Sequence, residues 1–146
     1  MTTNEQFAEI VDAVKNHNAR RTVIIGSPKA GKTTLGLAIS AELGVPLLHT
    51  DDLIDRFEWS AASEHIANVW LAEPGPWILE GVAAVRGLRK WLGGNPSGKP
   101  CDLIIELPTP RLELSSRQAG MAKACIGIWT EIRQDLGARG VATETL

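Results

Sequence analysis

Residues 26–33 read GSPKAGKT, a full match to the pattern G-x-x-x-x-G-K-[ST]. The match follows a β-branched burst at Thr22–Ile25 and runs directly into a helical pattern at Lys32–Leu43, which is the strand–loop–helix context the motif requires. Each fixed position has a chemical reason. Gly26 and Gly31 let the backbone turn sharply and bring its N–H groups close to phosphate oxygens. Lys32 sets a compact positive charge over β- and γ-phosphates, and Thr33 offers a hydroxyl to magnesium. The following helix aims its positive end at the anion. The segment Gly26, Ser27, Pro28, Lys29, Ala30, Gly31, Lys32, Thr33 and Thr34 is therefore the expected binding site of a purine nucleoside triphosphate with Mg2+. Lys29 reads as a solvated loop charge or as a second contact to phosphate.

The rest of the chain alternates helical and extended patterns. Phe7, Ile10, Val11 and Val14 make a first helical face, with Thr3 and Gln6 spaced as a capping box. Further strands are expected at Val45–His49, Trp77–Glu80 and Cys101–Leu107, and further helices at Ser60–Glu73, Ala84–Leu92 and about Leu112–Leu136. Gly93–Pro100 reads as a surface loop, and the tail Gly140–Leu146 supplies a fifth strand or frays. Such alternation predicts an α/β, three-layer P-loop NTPase fold: a parallel sheet of four to five strands with helices on both faces. Ligands in such sheets sit beyond the carboxyl ends of the strands, where Gly26–Thr33, Asp51-Asp52 and Glu80-Gly81 all fall.

Length and composition narrow the partners. At 146 residues, residues 1–146 read as one domain built around the nucleotide-binding loop. A formal charge of -2 argues against wrapping duplex nucleic acid. Cys101 and Cys125 have no metal-ligand spacing and read as reduced thiols. No apolar run reaches the roughly 18 residues of a membrane span, and the start MTTNEQFAEI lacks a secretory signal's apolar core. A cytoplasmic location without a membrane partner is expected. The first helix either packs on the sheet or mediates a homo-oligomer.

Phosphoryl transfer needs acids and cations beside the phosphates. Asp51, ending the second strand, is the candidate base, acceptor-orienting group and magnesium ligand. Asp52 is a candidate acceptor contact or a helix N-cap for Leu53–Phe57. Glu80 either supports the metal shell or is a buried structural acid. Arg86, Arg89, Arg111 and Arg117 are candidate cations, each also readable as a solvated arginine. Arg117 is the first choice to close over the phosphates, since SSRQ can open a helix there, and Arg86 is a candidate substrate contact. The catalytic set is thus Lys32, Asp51, Glu80 and Arg117, and the metal set Thr33 and Asp51. His17, His49 and His65 are scattered, and His49 is expected to be a packed or capping residue. The five tryptophans default to core packing, with Trp59 able to stack on a flat acceptor.

With VIIGSPKAGKTTL, PLLHTDDL, WILEG, and CDLIIELP followed by Arg117, the chain resembles the small P-loop kinases related to adenylate kinase. Within them it looks most like the group called topology modulation proteins. The resemblance covers about residues 22–118 and implies a phosphotransferase using ATP, without identifying the acceptor. Departures are Lys29-Ala30 where the family loop usually reads Gly-Ser, Val82-Ala83 after Glu80, and Glu106-Leu107-Pro108 closing the fourth strand. The acceptor is expected to be a small molecule or a nucleotide. Two alternatives remain from the sequence: a nucleotide-dependent switch or binding module with weak hydrolysis, and a component acting on polynucleotide ends.

Overall fold

The β-branched run at Arg21–Gly26 forms the central strand β1, with Thr22, Val23, Ile24 and Ile25 all buried. Burial on both faces is what an apolar, non-alternating run requires. The computed structural model describes residues 3–27, 30–54, 56–108 and 112–146, with residues 3 and 4 described by backbone alone. The expected capping box at Thr3 therefore lies outside the described side chains, and Pro28, Lys29 and Arg111 lie outside the described residues.

Leu47–His49 (β2), Trp77–Glu80 (β3), Leu103–Leu107 (β4) and Ala142–Thr145 (β5) complete a five-stranded sheet in the order β2-β3-β1-β4-β5. Every pairing is parallel. The tail is thus a strand: its Ala142 pairs with Leu103 and its Thr145 with Glu106. β2 starts later than the sequence predicts, because Pro46 has no N–H to give to the ladder. Its carbonyl still accepts from the Ile78 N–H at 2.9 Å.

Helices cover both faces. On one, Thr3–Asn16 (α1) and Lys32–Leu43 (α2) bury Ile10, Val14, Leu35 and Ile39 against Ile24, Ile78 and Ile105. The first helix therefore packs on the sheet. On the other face lie Asp51–Ile54 (α3), Trp59–His65 (α4), Ala84–Gly94 (α5) and Ser116–Ala138 (α6), around Val23, Ile25, Leu79 and Ile104. Neighbouring residues of β1 serve opposite layers, as the two-residue period of a strand dictates.

Helix ends follow local chemistry. Gly44 takes the left-handed conformation that closes α2. α4 widens into a π-type turn at Ile66–Trp70, so the expected helix over Ser60–Glu73 stops short. α6 opens on Ser115, whose side chain accepts the Gln118 N–H at 3.2 Å while the Gln118 side chain accepts from Ser115 N. No helix among the described residues is long and apolar enough to cross a membrane.

Candidate active site

The phosphate loop leaves β1 at Gly26, whose φ is +151°. The reason for glycine there is closer to home than the ligand: an added Cβ would lie 2.0 Å from the Leu107 carbonyl oxygen on β4. Gly31 (φ +90°) then turns the chain into α2. Lys32 follows at once and is only 6% exposed. Its ammonium donates to the carbonyls of Ser27 at 2.6 Å and Gly26 at 3.4 Å, so it is folded back across the loop. Burial pushes the Lys32 pKa down, opposed by the carboxylates of Glu80 and Asp51.

Thr33 points the other way, and its hydroxyl donates to Glu80 Oε1 at 3.3 Å. Glu80 is 1% exposed at the end of β3. Its second oxygen, Oε2, is buried with no hydrogen-bond partner among the described residues. Burial pushes the Glu80 carboxyl up, while His49 and then Lys32 pull it back down. His49, closing β2, contacts Glu80 through Nδ1 and Asp51 through Nε2, the latter at 3.5 Å. His49 is therefore part of the cluster, contrary to the expectation of a packed or capping residue. The sequence signal was its place at a strand's carboxyl end, one turn of chain before an acid.

Asp51 sits in the first turn of α3 rather than on the strand, with its side chain 59% exposed. Thr50, not Asp52, occupies the position before that turn, and its carbonyl accepts the N–H groups of Leu53 and Ile54. Asp52 is exposed outside the central cavity, so it is neither the cap nor a cavity-lining group. Thr50 is wholly buried against Gly81, where an added Cβ would lie 1.8 Å from Thr50 Oγ1.

Lys32, Thr33, Thr34, Asp51, Glu80 and Arg117 all line one cavity of about 690 Å³, with Trp59 on its wall. Arg117 enters from the first turn of α6. Arg86, on α5, lines adjoining hollows and lies over the Trp59 ring at 5.2 Å. Arg89 is on the surface, 3.4 Å from Glu131. Glu106 accepts from the Trp129 indole at 2.9 Å and so ties β4 to α6. His17 meets Glu144 at 3.1 Å, and His65 stacks with Phe57, both away from this cavity.

No cluster of three or more His, Cys, Asp or Glu side chains among the described residues makes a metal cage. That donor set still fits magnesium held largely by phosphates and water. The Thr33 hydroxyl, the unpartnered Glu80 oxygen and the exposed Asp51 carboxylate are hard oxygen donors in the same cavity.

No protein-family model matches the chain. A segment of 34 residues is 62% identical to shikimate kinase of Thermobifida fusca (strain YX), spanning 23% of this chain and 20% of that relative. A solved shikimate kinase from Acinetobacter baumannii, in complex with shikimate, superimposes with a TM-score of 0.50. At 15% identity, that likeness covers 92% of this chain and 86% of the other. The α/β P-loop fold is thus shared.

Proposed function

We propose that the chain is an ATP-dependent phosphotransferase acting on a small molecule or nucleotide in the cytoplasm. The carrying observation is that the Lys32–Thr33 end of the phosphate loop, Glu80, Asp51 and Arg117 meet in one cavity with room beside Asp51. The short shikimate kinase match and the shared fold support a kinase. The narrower likeness to topology modulation proteins rests on the motifs and leaves the acceptor open.

In this reading Gly26 to Thr34 cradles the triphosphate, and Lys32 leaves its loop carbonyls for the β- and γ-phosphates. Thr33 and Asp51 would hold magnesium, with Glu80 fixing the Thr33 hydroxyl; the ion supplies neutralisation of phosphate charge. The acceptor hydroxyl oxygen bonds to the γ-phosphorus as the bond to the ADP oxygen breaks. Asp51, exposed in the cavity, takes the hydroxyl proton. Arg117 closes from α6 over the transferring group, and Arg86 contacts the acceptor. Positioning and charge complementarity provide most of the rate.

The test is transfer of label from γ-labelled ATP to a panel of nucleosides, nucleotides, sugars and hydroxy acids. Asp51→Ala is expected to lower transfer by about 100-fold or more, the scale of a positioned acid–base group. Lys32→Ala should remove triphosphate binding by calorimetry. Transfer to no acceptor, with slow hydrolysis that Asp51→Ala leaves unchanged, would defeat the reading and favour a nucleotide switch.

A further inference from the structure

The cavity at the phosphate loop does not end at Trp59. Arg117 and Met121 line both it and a second hollow of about 240 Å³, which Arg86 also lines. Trp59 and Arg86 in turn line a groove of about 360 Å³ together with Ser60, Ser63, Arg89 and Lys90. The path therefore runs from Asp51, past Trp59 and Arg86, to the gap between α4 and α5.

Its far end is basic. Arg86, Arg89 and Lys90 stand at i, i+3 and i+4 on α5, hence on one helical face. Like charges at that spacing repel, and the chain as a whole carries a net charge of -2, so the concentration is local. The compensation is partial. Arg89 meets Glu131 at 3.4 Å and Lys90 meets Glu64 at 3.6 Å, both at exposed positions where ion pairs contribute little. Arg86 has no acidic partner among the described residues. Its guanidinium is half-buried over Trp59, and its Nε is buried without a hydrogen-bond partner among them. Arg86 lines both hollows with no acidic partner among the described residues, so its charge is open to an anion that arrives with the ligand.

On the reading of the chain as a kinase, we propose that the acceptor already carries a phosphate group, seated between α4 and α5 on Arg86, Arg89 and Lys90. Its reacting hydroxyl lies at the Asp51 end. A phosphate dianion suits this end better than a carboxylate, because its oxygens accept from several directions at once, matching the planar fork of Arg86 and two further cations. The exposed Ser60 adds a hydroxyl to the same wall.

The experiment uses the full chain with magnesium and a non-hydrolysable ATP analogue in excess, so that the phosphate loop is filled. Inorganic phosphate and, separately, acetate are then titrated at constant ionic strength, following the Trp59 indole N–H by NMR, assigned through Trp59→Phe. Phosphate should shift that resonance saturably, with acetate at least tenfold weaker. Arg89→Gln and Lys90→Gln, both at exposed positions, should each weaken the phosphate response threefold or more; Arg86→Gln should abolish it. Normal analogue binding with no saturable Trp59 response would overturn the subsite while leaving the kinase reading intact. An equal response to acetate would overturn the phosphate assignment, and indifference to both Arg89→Gln and Lys90→Gln would overturn the groove. A Trp59 response to phosphate in a chain that fails to bind the analogue would uphold the anion site and sink the kinase reading instead.

Discussion

Thr33 donates its hydroxyl to Glu80 at 3.3 Å, which joins the first turn of α2 to the end of β3 across the mouth of the sheet. The bond uses one oxygen of a carboxylate that is otherwise a liability to the fold. Glu80 is buried, and its other oxygen is unpartnered among the described residues.

That liability gives a signed prediction. Burial raises the Glu80 pKa, so the ionised form is disfavoured in the folded state, and the penalty operates above the folded pKa. It vanishes as pH falls below the ordinary value of 4.5. Glu80→Gln should therefore stabilise the nucleotide-free protein at neutral pH by about 1 kcal/mol, or roughly 2–4 °C in Tm, the usual scale for relieving functional strain. The two melting curves should converge in acid. Magnesium-dependent affinity for ATP should fall about tenfold in the same variant. A variant less stable than the parent at pH 7 would mean that Glu80 serves the fold first.

His49 bridges Glu80 and Asp51. If the imidazole holds Asp51 toward the acceptor, His49→Ala should lower kcat about tenfold with the KM for ATP nearly unchanged. His49→Asn, which keeps an amide near the Nδ1 position, should keep the Glu80 contact but not the reach to Asp51. His49→Gln, with its amide near Nε2, should recover more of kcat. Equal loss in all three variants, or a rise confined to KM, would remove His49 from the positioning role.

Why did the sequence yield the sheet but only part of this cluster? Strands such as Thr22–Ile25 and Trp77–Glu80 are local apolar runs, and the loop GSPKAGKT fixes what precedes and follows it. Gly44 and Ser115 mark helix ends by their own backbone chemistry. The tail was ambiguous because its partner, β4, is remote in sequence, and only pairing with Leu103–Glu106 decides that Ala142–Thr145 is extended. His49 was hidden for a related reason. It lies 31 positions from Glu80, and the two meet only because β2 and β3 are neighbours in register, with His49 opposite Glu80. Asp52 stands outside the cavity that its neighbour Asp51 lines, because consecutive positions in a helical turn point about 100° apart. Arg86 is legible in the sequence as a substrate contact, but the groove it shares with Arg89 and Lys90 depends on how α4 lies against α5.

Asp102 should control acid stability far from the site. Burial raises its carboxyl pKa, but the Arg21 N–H at 2.9 Å, the Arg21 guanidinium at 3.2 Å and the Arg20 N–H at 3.1 Å more than offset this and hold it below 3.8. A depressed carboxyl pKa adds stability above the unfolded value, which is lost as pH falls through the folded one. Asp102→Asn should cost about 1–2 kcal/mol at pH 7, as expected for charge-assisted bonds at a partly exposed position. The deficit should shrink below pH 3.8. Urea denaturation at the two pH values checks it, and a deficit independent of pH would point to packing instead.

Gly81 meets Thr50 so closely that the start of α3, and with it Asp51, depends on the missing side chain. An added Cβ would stand 1.8 Å from Thr50 Oγ1, at a backbone φ of +134° that side chains rarely adopt. Gly81→Ala should push Thr50 outward, lower transfer by about 10- to 100-fold through misplacement of Asp51, and cost about 2–3 kcal/mol of stability. Thr50→Gly removes the Oγ1, Cβ and Cγ2 atoms that the new methyl would strike, at 1.8, 2.9 and 3.1 Å. The double variant should regain part of the activity and not all of the stability, because the φ strain remains whatever the space. Triphosphate affinity measured without magnesium should change little in either, since Lys32 and the phosphate loop rest on β1 and β4. Recovery of neither quantity would show that backbone strain alone, and not the Thr50 contact, sets the position of Asp51.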